Sequence, residues 1–420
     1  MANAQQQQLS ASQVNQIARS AIRARAVRML QGIYNAAWNP TQQPTLTINP
    51  RNVGLINGFW VKVVATVANS SAAVMNLSDF GPANLLSQIQ FNDLSNNTRI
   101  QTPGWHVAML NSWKTRRAFA SALTSYYGKN SGTQLSTAGG IGEDSPINYG
   151  SNFTTISAPA TIAAISGSTP GTGTITMWYY VPLAYNPDNP QTPDLRGAVY
   201  ANVVNATMQL FLSFAGTYGT SLVAAFGADS TQAVYYQSTN VAVNAAVTSA
   251  NVTVYQDYWD QLPTGNQGVL LPILDLATIY ELKQTVQTAI PAGQDFPYQY
   301  SNFRDFLSTV AIYVNNGSTG ARGVGSDINY WALQSANFTN IWKIEPALAA
   351  LMTRQHIGLD LPPGTYLFDS RNRPISTTQY GNMQLIINAI TAASNPYMLV
   401  AVEDFALVQT LSMAGSLAAS

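Results

Sequence analysis

Hydrophobic and polar residues alternate along much of the chain after residue 50. Between 60 and 67, Val61, Val63 and Val67 are separated by residues of the opposite face, and 174–181 repeats this period of two. Similar short runs occur at 85–91, 207–214, 251–255, 307–314, 364–368, 383–390 and 397–402. Such runs, bounded by Gly, Pro, Asn and Ser, are typical of half-buried strands in sandwiches and barrels. The pattern predicts an all-β fold.

A few stretches lack this alternation and predict inserted helices. They are 11–34, 105–123, 275–289 and 345–358. Asp275 is a plausible N-cap for the third of these helices. Pro346 at the start and Gly358 just past the end fit the usual asymmetry of helix termini in the fourth.

The segment 1–49 differs from the rest of the chain. No acidic residue precedes Asp79, whereas Arg19, Arg23, Arg25 and Arg28 fall within ten residues. Prolines after Trp38 favour an extended backbone. We therefore interpret 1–49 as a basic helical arm followed by a tether. Its arginines predict binding to an anionic lipid surface, at about 1 kcal/mol each; docking on a neighbouring subunit or on nucleic acid are the alternatives.

The remaining chain is long enough for two sandwiches. Predicted strands fill both parts, so we expect a first β domain at 50–255 and a second at 256–420 that includes a C-terminal tail. The polar stretch 255–268 is the best position for the boundary between them.

Composition narrows the classes of function. Charged residues make up 9% of the 420-residue chain and the net charge is zero, so the chain lacks the basic excess of a nucleic-acid-binding protein. A neutral surface resists association poorly, which favours a protein that associates. The N-terminus lacks the pattern of a signal peptide, and no run of 18 apolar residues occurs, so we expect a protein made inside the cell without a membrane span.

Candidate catalytic and metal-binding residues are few. The chain has no cysteine, and its two histidines, His106 and His356, are expected to be structural. The glycine-rich strings match neither a P-loop nor a dinucleotide-binding motif. Asp257 and Asp260 flank Tyr258-Trp259 and could form a glycosidase carboxylate pair, although hydrogen bonding between domains is the simpler interpretation. We expect no catalytic residue, no cofactor and no metal.

The order of several segments resembles the major coat protein of the tectiviruses, icosahedral phages with an internal membrane. The matching segments are Asn52-Val53-Gly54, Gly58-Phe59, the run from Asp79 to Leu85, Gly104-Trp105-His106, Asp144-Ser145-Pro146-Ile147, APATIAA at 158–164, VPLAY at 181–185, Gly197-Ala198-Val199, TVYQ at 253–256, DQLP at 260–263, Asp327-Ile328-Asn329-Tyr330, Ala336-Asn337-Phe338 and Gln379-Tyr380-Gly381-Asn382. Residues 115–143 and the chain after about 390 depart from the pattern.

The resemblance implies a double jelly roll, in which two eight-stranded sandwiches stand side by side. It implies a homotrimer with a pseudo-hexagonal outline that tiles an icosahedral shell over an internal membrane, which the N-terminal arm would face. The implied partners are further copies of the chain, the viral membrane, and vertex and minor capsid proteins, without sequence-specific contact to nucleic acid. The expected location is the virion, after assembly in the host cytoplasm.

Two other functions fit a β-sandwich protein. A receptor-binding spike or adhesin would place carbohydrate affinity in the long loops. A jelly-roll glycoside hydrolase would depend on Asp257 and Asp260. The resemblance favours a structural protein without enzymatic activity over both.

Overall fold

Strands form most of the described chain, which confirms the all-β prediction. The computed structural model describes residues 10–40, 42–77, 81–115, 158–159, 161–188, 193–202, 206–214, 234–237, 245–263, 274–287, 291, 293–298, 305–316, 321–322, 328–336, 340–357, 365–370, 374–381, 383–389 and 397–407. The strands are β1 (Val27–Trp38), β2 (Thr45–Ile48), β3 (Leu55–Asn69), β4 (Met75–Leu77), β5 (Leu86–Asn92), β6 (Thr98–Thr102), β7 (Thr161–Ile162), β8 (Gly171–Pro182), β9 (Val199–Tyr200), β10 (Gln209–Phe214), β11 (Tyr235–Gln237), β12 (Ala245–Asp260), β13 (Thr278–Gln287), β14 (Asp295–Tyr298), β15 (Phe306–Asn316), β16 (Ala321–Arg322), β17 (Ile328–Ser335), β18 (Trp342–Ile344), β19 (Thr365–Asp369), β20 (Ile375–Ser376), β21 (Met383–Ala389) and β22 (Tyr397–Leu407).

Helices are few. They are α1 (Ala11–Arg25), α2 (Gly104–Thr115), α3 (Pro346–Ile357) and α4 (Thr377–Tyr380), with short 3-10 helices η1 (Gly81–Leu85) and η2 (Leu274–Ala277). α3 confirms the helix predicted at 345–358. α2 confirms the start of the helix predicted at 105–123, and residues 116–143 lie outside the described chain.

The first sandwich consists of two four-stranded sheets. One sheet has the order β1-β12-β3-β8, and the other has the order β2-β10-β5-β6. Residues that alternate along these strands, including Val61, Val63, Ile89 and Phe91, form one buried core. The rings of Phe59 and Phe91 connect the two sheets, with centroids 5.5 Å apart.

The second sandwich repeats this arrangement. Its sheets have the orders β13-β22-β15-β19 and β14-β21-β17-β18. A second core lies between them and includes Val310, Ile312, Leu385 and Trp331. The two facing sheets of each sandwich together contain eight described strands, which confirms the expected pair of eight-stranded sandwiches; β4, β7, β9, β11, β16 and β20 are short additional strands.

A shared sheet joins the two sandwiches. β6 of the first pairs in parallel with β13 of the second, with Ile100 opposite Leu282, so that one ten-stranded sheet runs through both. Along β15, Val310 and Ile312 point into the second core, whereas Ala311 between them joins the first. The same alternation places Leu367 of β19 in the first core. The β13-β22-β15-β19 part of this sheet is therefore buried on both faces, one in each core.

Two helix predictions are wrong in part or whole. Within the predicted helix at 275–289, the described residues 275–287 form η2 and then β13, because β22 and β6 pair with this strand on either side and its alternate residues Tyr280 and Leu282 are buried. The helix predicted at 11–34 ends at Arg25, and β1 follows, paired along its length with β12. Pairing with a neighbouring strand overrides local helix propensity in both segments.

The segment expected to be an arm contains two strands, and the expected domain boundary at residue 255 falls inside a third. β1 and β2 lie within 1–49 and belong to the sheets of the first sandwich. β12 continues to Asp260, beyond position 255, and is the second strand of its sheet.

The contact between the sandwiches predicts the effect of one glycine substitution. Gly197 has φ +86°, and a Cβ there would lie 2.3 Å from Tyr280 Cβ and 2.5 Å from the Leu183 carbonyl oxygen. We expect Gly197→Ala to lower the free energy of unfolding by roughly 1–3 kcal/mol more than Gly167→Ala does, because overpacking adds to backbone strain. Gly167 is a matched control, since its φ is +60° and a Cβ would meet open space.

Thermal unfolding of the three proteins by differential scanning fluorimetry would measure this difference. Equal shifts for the two variants would contradict the close packing of Tyr280 on Gly197.

Candidate functional site

The N-terminal helix α1, which carries three of the four predicted lipid-facing arginines, is packed on the body of the protein. Its first turn is closed by a capping box, in which the Ser10 hydroxyl accepts from the Gln13 backbone N–H and the Gln13 side chain accepts from the Ser10 backbone N–H. Ala18 and Ile22 are buried against residues from three other segments. These are Leu55, Ala184, Leu195, Ala198 and Trp259. The helix is therefore fixed to the body through a third, smaller buried cluster.

Arg19 forms a buried ion pair with the start of the second sandwich. Its Nε and one terminal nitrogen donate to the two carboxylate oxygens of Asp275, at 2.7 and 2.6 Å. The Asp275 side chain is 3% exposed, and its carboxylate also accepts from the Asn15 amide and the Leu195 backbone N–H. A bidentate pair with two further donors satisfies a buried carboxylate, so this contact holds α1 at a fixed position.

Asp194 extends this cluster toward the second sandwich. It accepts from Arg19 at 3.2 Å and from Arg196 at 2.8 Å. The Arg196 guanidinium lies over the rings of Tyr185 and Phe405, 4.8 and 4.6 Å from their centroids. Phe405 belongs to β22, so the cluster connects α1, the 194–196 segment and the second sandwich.

Arg28 makes a second buried contact, at the start of β1. Its Nε and a terminal nitrogen donate to Asp257 of β12 at 2.9 and 2.6 Å, and it also pairs with Asp188. The Asp257 hydrogen bond raises the pKa of Arg28 above its usual value, although burial acts in the opposite direction. The Tyr180 hydroxyl donates to the same carboxylate at 3.1 Å, and burial is the main cause of its raised pKa.

The predicted arginines therefore divide into two groups. Arg19 and Arg28 are held by aspartates of the same chain, whereas Arg23 and Arg25 have exposed side chains. Exposed apolar side chains lie in the same part of the chain: Ile17, Val27, Met29 and Leu30. The lipid-facing interpretation stays a prediction, and it now rests on Arg23 and Arg25. Sequence analysis lacked the positions of the partner aspartates, which lie 160–256 residues away in the chain.

The other candidate residues do not form a catalytic site. Asp257 is buried and held by Arg28, whereas Asp260 is exposed and its carboxylate accepts from the Gln261 backbone N–H. His106 is buried, with its Nδ1 2.7 Å from the Thr102 hydroxyl oxygen. The side chain of His356 lies outside the described residues. Within the described chain, no three His, Asp or Glu residues are grouped so that they could hold a metal ion, and no helix is both long and apolar enough to cross a membrane.

The buried pair of Arg19 and Asp275 predicts a loss of stability on substitution. Arg19→Gln leaves the Asp275 carboxylate without its counter-charge, so we expect a loss of roughly 3 kcal/mol and faster proteolysis of α1. Arg25→Gln removes an equal charge from an exposed position of the same helix and should change the stability by less than about 0.5 kcal/mol. Thermal unfolding and limited proteolysis would measure both. Similar proteolysis of the two variants would contradict the docking of α1 through Arg19.

Comparisons with known proteins match nearly the whole chain. The P3 major capsid protein N-terminal family matches residues 1–262, and the P3 major capsid protein C-terminal family matches residues 277–419. The major capsid protein P3 of Enterobacteria phage PRD1 is 36% identical over 401 residues, which cover 95% of this chain and 93% of that protein.

Solved structures share the fold. The crystal structure of the STIV MCP matches with a TM-score of 0.57 at 12% identity, covering 94% of this chain and 100% of that chain. A chain from the atomic structure of Sulfolobus Turreted Icosahedral Virus matches with a TM-score of 0.56 at 12% identity, covering 94% and 93%. At this identity the likeness shows the fold alone, and it is that of a double jelly roll.

These matches confirm the resemblance to the tectivirus coat protein and the expected class of function. The protein has a structural role in the capsid, is part of the virion and is not an enzyme. The spike and hydrolase alternatives find no support in them. With family matches over both sandwiches and a relative 36% identical along nearly its full length, the chain belongs to the P3 major capsid protein family.

Proposed function

We propose that this capsid protein assembles as a homotrimer of pseudo-hexagonal outline that tiles an icosahedral shell over an internal membrane. The observation that carries the proposal is the seam between the two sandwiches. There the last strand of the β2-β10-β5-β6 sheet pairs with the first strand of the β13-β22-β15-β19 sheet. One chain thus already contains two similar units joined side by side.

The ends of the described sheets allow the same junction to form again. β18 is the last strand of its sheet, as β6 is, and β1 is the first strand of its sheet, as β13 is. No described strand pairs with the outer edge of β1 or β18. A contact from the β18 side of one copy to the β1 side of the next would be heterologous. It closes a ring of six sandwiches, and so of three chains, when each step turns by about 60°.

The exposed part of the N-terminal segment favours a membrane-facing role. Arg23 and Arg25 carry positive charge beside the exposed apolar side chains of Ile17 and Val27. Basic and apolar groups together suit an anionic lipid surface, and many copies facing one membrane multiply a weak attraction. The overall lack of basic excess argues against nucleic acid as the main partner. Vertex and minor capsid proteins as partners, and assembly in the host cytoplasm, follow from the family resemblance.

We also propose that the boundary between the two domains lies in the connection between β12 and η2. β12 is the last strand of the first sandwich along the chain, and η2 leads directly into β13 of the second. The proposed boundary lies between residues 260 and 274, which overlaps the 255–268 stretch that the sequence favoured, and β1 and β2 then belong to the first domain.

The trimer predicts a definite mass in solution. Three copies of the 45.1 kDa chain have a mass of about 135 kDa. We expect light scattering on a sizing column to give this mass, and we expect it to persist on dilution, because an interface in the lattice building block is extensive. A stable 45 kDa monomer would overturn the proposed trimer.

Membrane contact predicts that two arginines control binding to vesicles. The double variant Arg23→Gln/Arg25→Gln should bind vesicles of anionic lipid roughly 30-fold more weakly, because each arginine contributes about 1 kcal/mol. Co-sedimentation at low and high salt would measure this, and binding of the natural protein should fall with salt.

A matched control for this experiment is Arg51→Gln/Lys343→Gln, which removes two exposed positive charges elsewhere in the chain. Equal losses in the two double variants would mean that general charge, rather than the N-terminal segment, attracts the vesicles. Binding that does not depend on salt would point to apolar insertion instead.

A further inference from the structure

The two sandwiches correspond strand by strand. In chain order, β1, β2, β3, β5, β6, β8, β10 and β12 take the same places in the first sandwich as β13, β14, β15, β17, β18, β19, β21 and β22 in the second. The helices correspond as well, since α2 lies between β6 and β8 and α3 lies between β18 and β19. Any contact of one sandwich therefore has a counterpart position on the other.

Within the chain, an outer sheet face of the second sandwich and the helix α2 belong to one buried cluster. The face of the β13-β22-β15-β19 sheet that points away from its own core contributes to the core of the first sandwich through Tyr280, Leu282, Ala311, Leu367 and Phe405. The helix α2 contributes Trp105 and Leu110 to that same core. Both the sheet face and the helix are therefore buried within the chain, in the same cluster.

The counterpart of α2 has an exposed apolar face. In α3, Leu348, Leu351 and Met352 are 49%, 64% and 36% exposed, and their spacing places them on one side of the helix. Ala349, about a quarter of a turn from this side, is buried in the second core. Three adjacent exposed apolar side chains on one helix indicate a contact surface. We call these three residues the α3 face.

The counterpart of the buried outer sheet face is also apolar. On the β1-β12-β3-β8 sheet, Trp60, Trp178, Tyr255 and Leu30 point away from the core, as the register of paired strands shows. The rings of Trp178 and Tyr255 are stacked with centroids 6.3 Å apart, and Trp60 lies 6.5 Å from Trp178. Leu30, on the edge strand, is 60% exposed. We call these four residues the outer aromatic face.

We propose that the α3 face of one copy packs on the outer aromatic face of the next copy, and that this contact is the apolar centre of the subunit interface. The occupant of each surface is a second copy, because the counterparts of these two surfaces lie in one buried cluster within the chain. The contact is heterologous, so it continues from copy to copy until the ring closes. This inference rests on the proposed trimer and names the residues that hold it together.

A charged residue introduced into the α3 face tests the assigned interface independently of whether the protein is a trimer. Leu351→Asp should convert the 135 kDa species to the 45 kDa monomer, since it buries an unpaired charge at the interface. Val74→Asp is the matched control, because Val74 is 48% exposed and lies in neither surface. It should leave the mass unchanged. Circular dichroism would check that both variants keep the natural fold.

The outcomes have different meanings. A natural protein that is trimeric, together with a Leu351→Asp variant that is equally trimeric at all dilutions, would overturn the assigned interface and leave the trimer standing. A natural protein that is monomeric would overturn the trimer.

Cross-linking provides a second measurement that does not depend on the charged variant. The natural chain has no cysteine, so the double variant Leu351→Cys/Tyr255→Cys carries one thiol in each surface. A bifunctional maleimide should give a covalent trimer from the double variant and no cross-linked species from either single variant. Covalent dimers from Leu351→Cys alone would mean that two α3 faces meet each other, which would overturn the heterologous contact.

Discussion

The parallel pairing of β6 with β13 is the contact on which the rest of the structure depends. It makes one ten-stranded sheet out of strands from both sandwiches, with Ile100 opposite Leu282. Since side chains alternate between the faces of a strand, β15 and β19 can serve both cores at once, through Val310 and Ile312 on one face and Ala311 and Leu367 on the other. The two sandwiches are therefore not separate bodies on a linker. They share buried surface, and this fixes their relative position in the building block of a shell.

Charge is scarce in this chain, and four of the described ion pairs join segments that are distant in sequence. Arg19 joins α1 to Asp275 at the entrance of the second sandwich, and Arg28 joins β1 to Asp257 of the neighbouring strand. Buried pairs of this kind contribute less to stability than to specificity, because desolvation offsets most of the attraction while a wrong partner leaves a charge uncompensated. They give α1 one defined position on the surface. A capsid protein needs such definition, since the same contacts must recur in every copy.

The surfaces that the two sandwiches expose differ in a way that fits assembly. The helix α2 and the outward face of the β13-β22-β15-β19 sheet are buried within the chain. Their counterparts, the α3 face and the outer aromatic face, keep apolar residues at the surface. Large exposed apolar side chains are costly for a protein that stays monomeric, since they promote association. Low net charge acts in the same direction. In a capsid protein both properties favour the intended contact between copies.

The sequence by itself determined the β class and the family, because a period of two shows in local residues such as Val61 and Val63, and because the order of short motifs survives at 36% identity. It also determined α3, since Pro346 and Gly358 mark helix ends locally. Only the tertiary structure decided that 278–287 and 27–34 are strands, since their state depends on β22, β6 and β12 beside them. The same holds for Arg19 and Arg28. No acidic residue lies near these arginines in the sequence, so no ion pair could be predicted for them. Folding brings Asp275 and Asp257 to two of them from more than 200 residues away.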